Sequence, residues 1–234
     1  MTRRKPLLIT FSGIDGAGKS TQIQSLCDRL RDAGLRCHVY AFWDDAAVLR
    51  PLRETMGHAI FKGDRGVGKP EAPIRRRDKN VRSPLMTLIR LGMYALDALS
   101  LRHLARRALR SGADVVIFDR YIFDELANLN LLSLSQCLYA RSIMKIVPRP
   151  SVAFVLDADP IQARSRKPEY PLSFLRLCRE SYMRLSELHG GMTIVPPRSL
   201  SSATAAVVAA VLDGAGLRAL DDETEEQEVR PLAG

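Results

Sequence analysis

The run Gly13-Ile14-Asp15-Gly16-Ala17-Gly18-Lys19-Ser20-Thr21 constrains this chain more than any other segment, because it fits the pattern G-x-x-x-x-G-K-[ST] in a strand-to-helix context. Leu7-Leu8-Ile9-Thr10-Phe11 before it reads as a buried strand, and Ser20 to Leu30 after it continues as a helix. Glycines let backbone N–H groups turn inward, and a helix N-terminus adds a positive dipole end. The unit therefore suits an anion. Lys19 is placed to reach the outer phosphates of a nucleotide and Ser20 to ligate Mg²⁺, with Gly13, Asp15, Gly16, Ala17, Gly18 and Thr21 completing the cradle. A glycine turn that merely happens to carry a Lys and a Ser also satisfies so short a pattern. The strand and helix on either side favour the phosphate loop.

Such a loop belongs in an α/β architecture, and the rest of the chain alternates apolar runs with helical patterns in that way. The expected fold is a three-layer, doubly wound, five-stranded parallel sheet. Its strands are read at Leu7 to Phe11, Cys37 to Trp43, Asp114 to Phe118, Val152 to Leu156 and Met192 to Val195. The second, third and fourth are too apolar for a sheet with one wet face. Helices are read at Ser20 to Ala33, Ala46 to Phe61, Pro84 to Arg110, Ile122 to Ile146, Pro160 to Arg166, Pro171 to Leu188 and Ser202 to Leu212, with Gly34, Gly112 and Gly190 marking helix ends. Residues 62–80 carry charge, Gly and Pro without periodicity and read as a mobile loop. One domain over 1–218 is expected, with an acidic, disordered tail at 219–234.

Composition narrows the partners. At 234 residues and 46% hydrophobic, the chain suffices for a sizeable core. Cys27, Cys37, Cys137 and Cys178 lack C-x-x-C spacing, and His38, His58, His103 and His189 form no ligand-like pair, so a metal cluster or disulfide framework is not expected and a cytoplasmic location fits. The basic N-terminus precedes too short an apolar stretch to be a signal peptide. Leu85 to Leu101 is nearly as apolar as a membrane span, but Arg90 and Asp97 interrupt it, so a core helix rather than a membrane segment is expected. Six carboxylates from Asp221 to Glu228 against Arg230 give the tail a charge of −5, leaving +14 on a body whose total is +9 with the tail. That excess suits either a nucleic acid or a site for several phosphates.

Two further segments carry chemistry. Val115-Val116-Ile117-Phe118 delivers Asp119-Arg120-Tyr121 at a strand's C-terminal end, the edge where open parallel sheets bind ligands. Asp119 there can hold Mg²⁺ or orient the transfer, and Arg120 can grip a second phosphate; the bland reading is an ordinary Asp-Arg turn. After the fourth strand, Leu156-Asp157-Ala158-Asp159-Pro160 leads into Arg164, Arg166 and Lys167, a basic lid over about 160–170 whose planar guanidinium groups match the charge of a transferring phosphoryl. A solvated basic helix end is the alternative for that cluster.

In this order, Phe11 to Thr21, Asp119-Arg120-Tyr121, and Leu156 to Pro160 followed by the lid cations resemble the thymidylate kinases and their relatives among the nucleoside monophosphate kinases. The resemblance implies an ATP-dependent enzyme using Mg²⁺, with Lys19 and Ser20 serving ATP. It further implies that Asp15 contacts the acceptor's sugar, that Arg120 and Tyr121 bind the acceptor, and that Asp119 serves the metal or the transfer geometry. Some relatives carry an Arg where this chain has Gly16, and those that do not look to the lid, which makes Arg164 and Arg166 the catalytic cations here. Relatives are commonly dimers through helices flanking the sheet, a homodimer role that the Leu85 to Leu101 face suits as well as it suits core packing.

The acceptor side departs from the family pattern. The usual Arg-Glu-Pro type motif after the second strand is replaced by Ala41-Phe42-Trp43-Asp44-Asp45, and the Asp-Arg pair in the helix before the third strand by Tyr94-Ala95-Leu96-Asp97-Ala98-Leu99. The usual Tyr-Gln falls on Asn128-Leu129. Arg50 and Arg53 stand three apart on one helical face and are candidate replacements for the acceptor arginine, a solvated face being the alternative. Phe42 and Trp43 suit base stacking or core, and Tyr170, Phe174 and Tyr182 read as packing residues. Transfer to deoxythymidine monophosphate is the default expectation, and a different small-molecule acceptor or a nucleotide-binding regulatory protein are the alternatives. Asp119, Arg120 and the lid cations argue against the regulatory and nucleic-acid reading, because binding alone needs neither an acceptor arginine nor a lid.

Overall fold

The computed structural model describes residues 5–47 and 84–215. Its strands are β1 (Leu7–Ser12), β2 (Cys37–Ala41), β3 (Val115–Asp119), β4 (Val152–Leu156) and β5 (Thr193–Val195). The helices are α1 (Lys19–Asp32), α2 (Pro84–Leu109), α3 (Ile122–Leu126), α4 (Leu134–Ile146), α5 (Pro160–Arg166), α6 (Leu172–His189) and α7 (Leu200–Ala215). The strands form one parallel sheet in the order β2-β3-β1-β4-β5. This is the expected α/β architecture.

Period-two alternation sorts the strand side chains onto two faces. Leu8, Val116, Phe118, Ala153 and Val155 share one core with Leu101, Ile122, Ile143 and Leu175, from α2, α3, α4 and α6. On the opposite face Ile9, Phe11, Ile117, Phe154 and Leu156 pack with Ile23 and Leu26 of α1 and Val207 and Val211 of α7. Because β3, β1 and β4 are covered on both sides, their sequences are mostly apolar, Thr10 and Ser12 being the buried polar exceptions in β1. β2 is the exception to the expectation of full coverage. It is an edge strand, and Val39 is 47% exposed.

Local polar chemistry explains two other differences. The run expected as one helix over 122–146 is split, because Asn128 to Ser133 turns: Gln136 accepts from the Asn130 N–H at 2.7 Å and Ser133 N–H donates to the Asn130 carbonyl at 3.0 Å. Asn and Ser offer the backbone alternatives to helical hydrogen bonds. The second strand stops at Ala41, where the Asp45 carboxylate accepts the Ala41 N–H at 2.7 Å, and Phe42–Ala46 forms a single π-helical turn. Most of the helix expected at Ala46 to Phe61, the loop 62–80 and the acidic tail lie outside the described residues.

Gly34, Gly112 and Gly190 all adopt positive φ at helix ends, as their placement predicts. Cys27 on α1 and Cys37 on β2, unrelated by motif spacing, come within 3.1 Å as free thiols. No helix among the described residues is long and apolar enough to cross a membrane.

Candidate active site

β1 occupies the centre of the sheet, so the loop that leaves it opens between β3 and β4 at the carboxyl edge, where a doubly wound sheet forms its crevice. Two glycines are required by that crowding. Gly13 has φ +140°, and a Cβ there would lie 2.6 Å from the Leu156 carbonyl oxygen at the end of β4. Gly16 has φ +79°, and its Cβ would lie 2.2 Å from the Ala163 carbonyl oxygen on α5. Helix α5 therefore rests directly on the glycine loop. A side chain at position 16, arginine included, needs a different packing of α5.

Lys19 is 7% exposed, and its ammonium donates to the carbonyls of Gly13 at 2.8 Å and Ile14 at 3.0 Å. Burial, reinforced by Arg120, pulls this amine down to about 8, although Asp124, Asp15 and Asp119 act the other way. Ser20 follows in the first turn of α1 and is exposed.

Parallel pairing sets Asp119 of β3 opposite Phe11 of β1, one residue before Ser12, and the ladder continues with the Arg120 N–H on the Phe11 carbonyl at 2.9 Å. The next step in the chain is unusual. Arg120 has φ +69°, the one positive value outside glycine among the described residues. For a side chain of this size that backbone is costly and marks a site held by its surroundings. Its guanidinium is shared between two carboxylates, Asp15 on the loop and Asp124 on α3, the latter at 3.0 Å. Burial works against the charge of Arg120, but Asp124, Tyr182, Asp15 and Asp119 outweigh it and hold the group protonated. Burial likewise pushes Asp15 up, and Arg120, Lys19 and Lys167 together bring it below the ordinary carboxylate range.

Among the described residues Asp119 has no comparable partner. One of its carboxylate oxygens is buried without a hydrogen bond, and burial, with Asp124 and Asp15 nearby, raises its pKa against the pull of Lys19 and Arg120. An unsatisfied buried carboxylate oxygen is the kind of hard-oxygen donor that Mg²⁺ takes. The residues present fit that ion.

The Asp157-Ala158-Asp159-Pro160 stretch links β4 to α5. Asp157, at the end of β4, accepts from Arg179 of α6 in a two-pronged pair at 2.5 and 2.7 Å. Asp159 caps α5 by accepting the N–H groups of Ile161 and Gln162, each at 3.0 Å, ahead of Pro160 at the first helical turn. Lys167 reaches Asp15 at 3.9 Å and Glu169 at 3.2 Å. Arg164 is half-buried and Arg166 exposed, and neither is ion-paired among the described residues.

The structure thus brings together Asp15, Lys19, Asp119, Arg120 and the lid. Tyr121 differs from its expected role as a substrate contact: its ring is fully buried against Phe118 and Phe123, and its hydroxyl donates to the Pro148 carbonyl at 2.8 Å. An apolar strand end drew it into the core. Phe42 is fully buried, whereas Trp43 beside it is 37% exposed. Arg50 and Arg53 lie outside the described residues. Sequence reasoning missed Asp124 and treated Tyr182 as packing only, although its hydroxyl donates to Asp124 at 2.7 Å. The four-residue spacing from Arg120 to Asp124 was the available signal.

No family model matches the chain. Among curated proteins, a probable thymidylate kinase of Pyrobaculum aerophilum is 30% identical over 183 residues, spanning 75% of this chain and 80% of that protein. The chain belongs to the thymidylate kinase family. A probable thymidylate kinase of Methanosphaera stadtmanae is 24% identical over 76% of this chain and 83% of that protein. The thymidylate kinase of Leptospira interrogans is 26% identical over 71% of each. The crystal structure of thymidylate kinase from Ehrlichia chaffeensis superimposes with a TM-score of 0.54 at 17% identity, covering 88% of this chain and 98% of that one, so the family fold spans nearly all of that enzyme.

Proposed function

We propose that this thymidylate kinase family member transfers the γ-phosphoryl group of ATP to deoxythymidine monophosphate. The observation that carries the reading is Arg120, set in a left-handed backbone beside the phosphate loop and braced on carboxylates at the place an acceptor phosphate would take. Lys19 exchanges the Gly13 and Ile14 carbonyls for the β and γ oxygens of ATP, held also by the N–H groups of the loop from Gly13 to Thr21. Arg120 takes the acceptor phosphate and Asp15 the acceptor's sugar. An acceptor phosphate oxygen attacks the γ phosphorus, the bond to the β-bridging oxygen breaks, and ADP departs with the electron pair. Catalysis is positioning and charge neutralisation, with no covalent enzyme intermediate.

Ser20 and Asp119 would hold Mg²⁺, which when bound supplies positive charge to the phosphate oxygens. Arg164 and Arg166 are the cations assigned to the transferring group, since α5 already lies on Gly16. Arg50 and Arg53 are retained as further acceptor contacts. The α2 face bearing Leu85, Leu88, Leu96 and Leu99, 48 to 66% exposed at helical spacing, is read as the homodimer face, to be checked by sedimentation of a Leu88→Glu, Leu99→Glu variant. A cytoplasmic location completes the reading, supported by the free thiols of Cys27 and Cys37.

The test is ADP release from Mg-ATP with a panel of nucleoside monophosphates, nucleosides and sugar phosphates, with Lys19→Ala as background. Release that requires thymidylate and vanishes in Lys19→Ala is expected. Release with another acceptor, or none with any, overturns the assignment.

A further inference from the structure

Asp124 is a carboxylate that the transfer chemistry does not use, yet both of its oxygens are fully engaged. One accepts from Arg120 Nη1 at 3.0 Å and from the Tyr182 hydroxyl at 2.7 Å; the other accepts from the Ser12 hydroxyl at 2.7 Å and the Tyr121 N–H at 3.1 Å. Those donors come from the end of β1, the residues after β3 and the middle of α6. A carboxylate with a side chain 1% exposed needs such a complete shell to remain in the core. The second carboxylate on Arg120 is different in kind. Asp15 is 21% exposed, lies on the phosphate loop, and divides its charge between Arg120 Nη2 and Lys167.

We propose that Asp124 is the positioning residue of the acceptor site: it fixes the Nη1 edge of Arg120 permanently, so that the Nη2 edge is the one released from Asp15 to an acceptor phosphate. This rests on the kinase reading above. Arg120 needs such an anchor because a long, flexible side chain launched from a left-handed backbone has no preset direction of its own. A fixed guanidinium also loses less freedom when the substrate arrives. Asp15 is the exchangeable partner, because it can turn to water and Lys167 when an incoming dianion displaces it, whereas Asp124 has no water to turn to. Through Tyr182 the same carboxylate ties the acceptor arginine to α6. Arg179, nearly one turn earlier on that helix, holds Asp157 at the lid's base.

The test compares Asp124→Asn, Tyr182→Phe and wild type in three readouts: KM for the acceptor and for ATP, the thermal midpoint, and the side-chain ¹⁵N–¹H spectrum of Arg120, in which restricted rotation gives separate Nη1 and Nη2 signals. Asp124→Asn is expected to raise the acceptor KM at least tenfold with the ATP KM within twofold, and to merge the Arg120 signals. Tyr182→Phe should raise the acceptor KM about threefold, the loss of one neutral donor to a charged group. A lowered thermal midpoint with an unchanged acceptor KM and separate Arg120 signals overturns the proposal. If Asp124→Asn does not fold, an unchanged acceptor KM in Tyr182→Phe overturns it alone. If wild type does not phosphorylate thymidylate, the kinase reading fails and the spectra decide: signals merged in Asp124→Asn but separate in Asp15→Ala support the anchor, and the reverse pattern removes it.

Discussion

The two halves of the site, proposed to take donor and acceptor, are built by different means. Around Lys19 the functional groups are backbone: carbonyls that hold its ammonium at rest, N–H groups of a glycine loop, and the first turn of α1. Around Arg120 they are side chains gathered from across the fold, with Ser12, Asp15, Asp124, Lys167 and Tyr182 in one ionic network. A backbone cradle needs a few residues in fixed order, whereas a side-chain network needs complementary groups from distant elements. The first can be carried by a short motif through much divergence. The second depends on the packing of every element that contributes to it.

Replacing Lys19 by Met should have the largest effect, lowering kcat by about 10²–10³-fold or more, the scale for deleting one transition-state donor. The same variant should melt no lower than wild type, and about 2–4 °C higher if the burial penalty of the ammonium dominates. The sign follows from proton linkage. Lys19 loses its proton near 8 in the fold but near 10.5 when unfolded, so it opposes folding below pH 8 and that burden is relieved as pH rises toward 10.5. A marked loss of stability in differential scanning calorimetry would make the cradle a structural lock rather than a binding device.

Gly16→Ala comes next. Its Cβ meets backbone on α5 and its φ is left-handed, so loop and lid must part. Turnover should fall by about 10²-fold, the cost of an ångström-scale misplacement. Near-normal kinetics would show that the lid does not need its seat on the loop.

The pH profile should show the two halves separately. ATP affinity, measured by calorimetry, should be level below pH 8 and weaken above it by up to about tenfold per unit, because binding must then restore a proton to a neutral Lys19. On the acid side, Asp119 lies above the ordinary carboxylate value of 3.8, so Mg²⁺-dependent activity should begin to fall at a higher pH than an exposed Asp would impose. A flat ATP affinity between pH 7 and 10 contradicts the buried ammonium. The smallest change is expected for Asp157→Asn, which weakens the half-exposed pair with Arg179 and should lower the thermal midpoint by about 2–4 °C.

The same contrast decides what could be read from the sequence. Sheet, strand identities and phosphate loop were legible because each is local: an apolar run, a glycine spacing, a helix end. Asp119 and Arg120 were legible because a strand end fixes their place. The Asp124 network was not, since Ser12, Asp124 and Tyr182 stand far apart in the chain and their meeting depends on how β1, α3 and α6 are packed. Tyr121 misled for a related reason, as its position in a family-like triplet outweighed the apolar surroundings that bury it. The split between α3 and α4 was written in Asn128, Asn130 and Ser133, residues whose side chains compete with helical hydrogen bonds.

Lys19 and Arg120, close enough to influence each other's charge, are proposed to serve different ligands. Calorimetric titration of ATP and of deoxythymidine monophosphate, each alone, into wild type, Lys19→Met and Arg120→Ala tests it most directly. The account predicts a crossed result: Lys19→Met loses ATP affinity and keeps thymidylate, whereas Arg120→Ala weakens thymidylate about 10²-fold and leaves ATP within twofold. Equal losses of ATP affinity in both variants, with thymidylate unaffected, would contradict it.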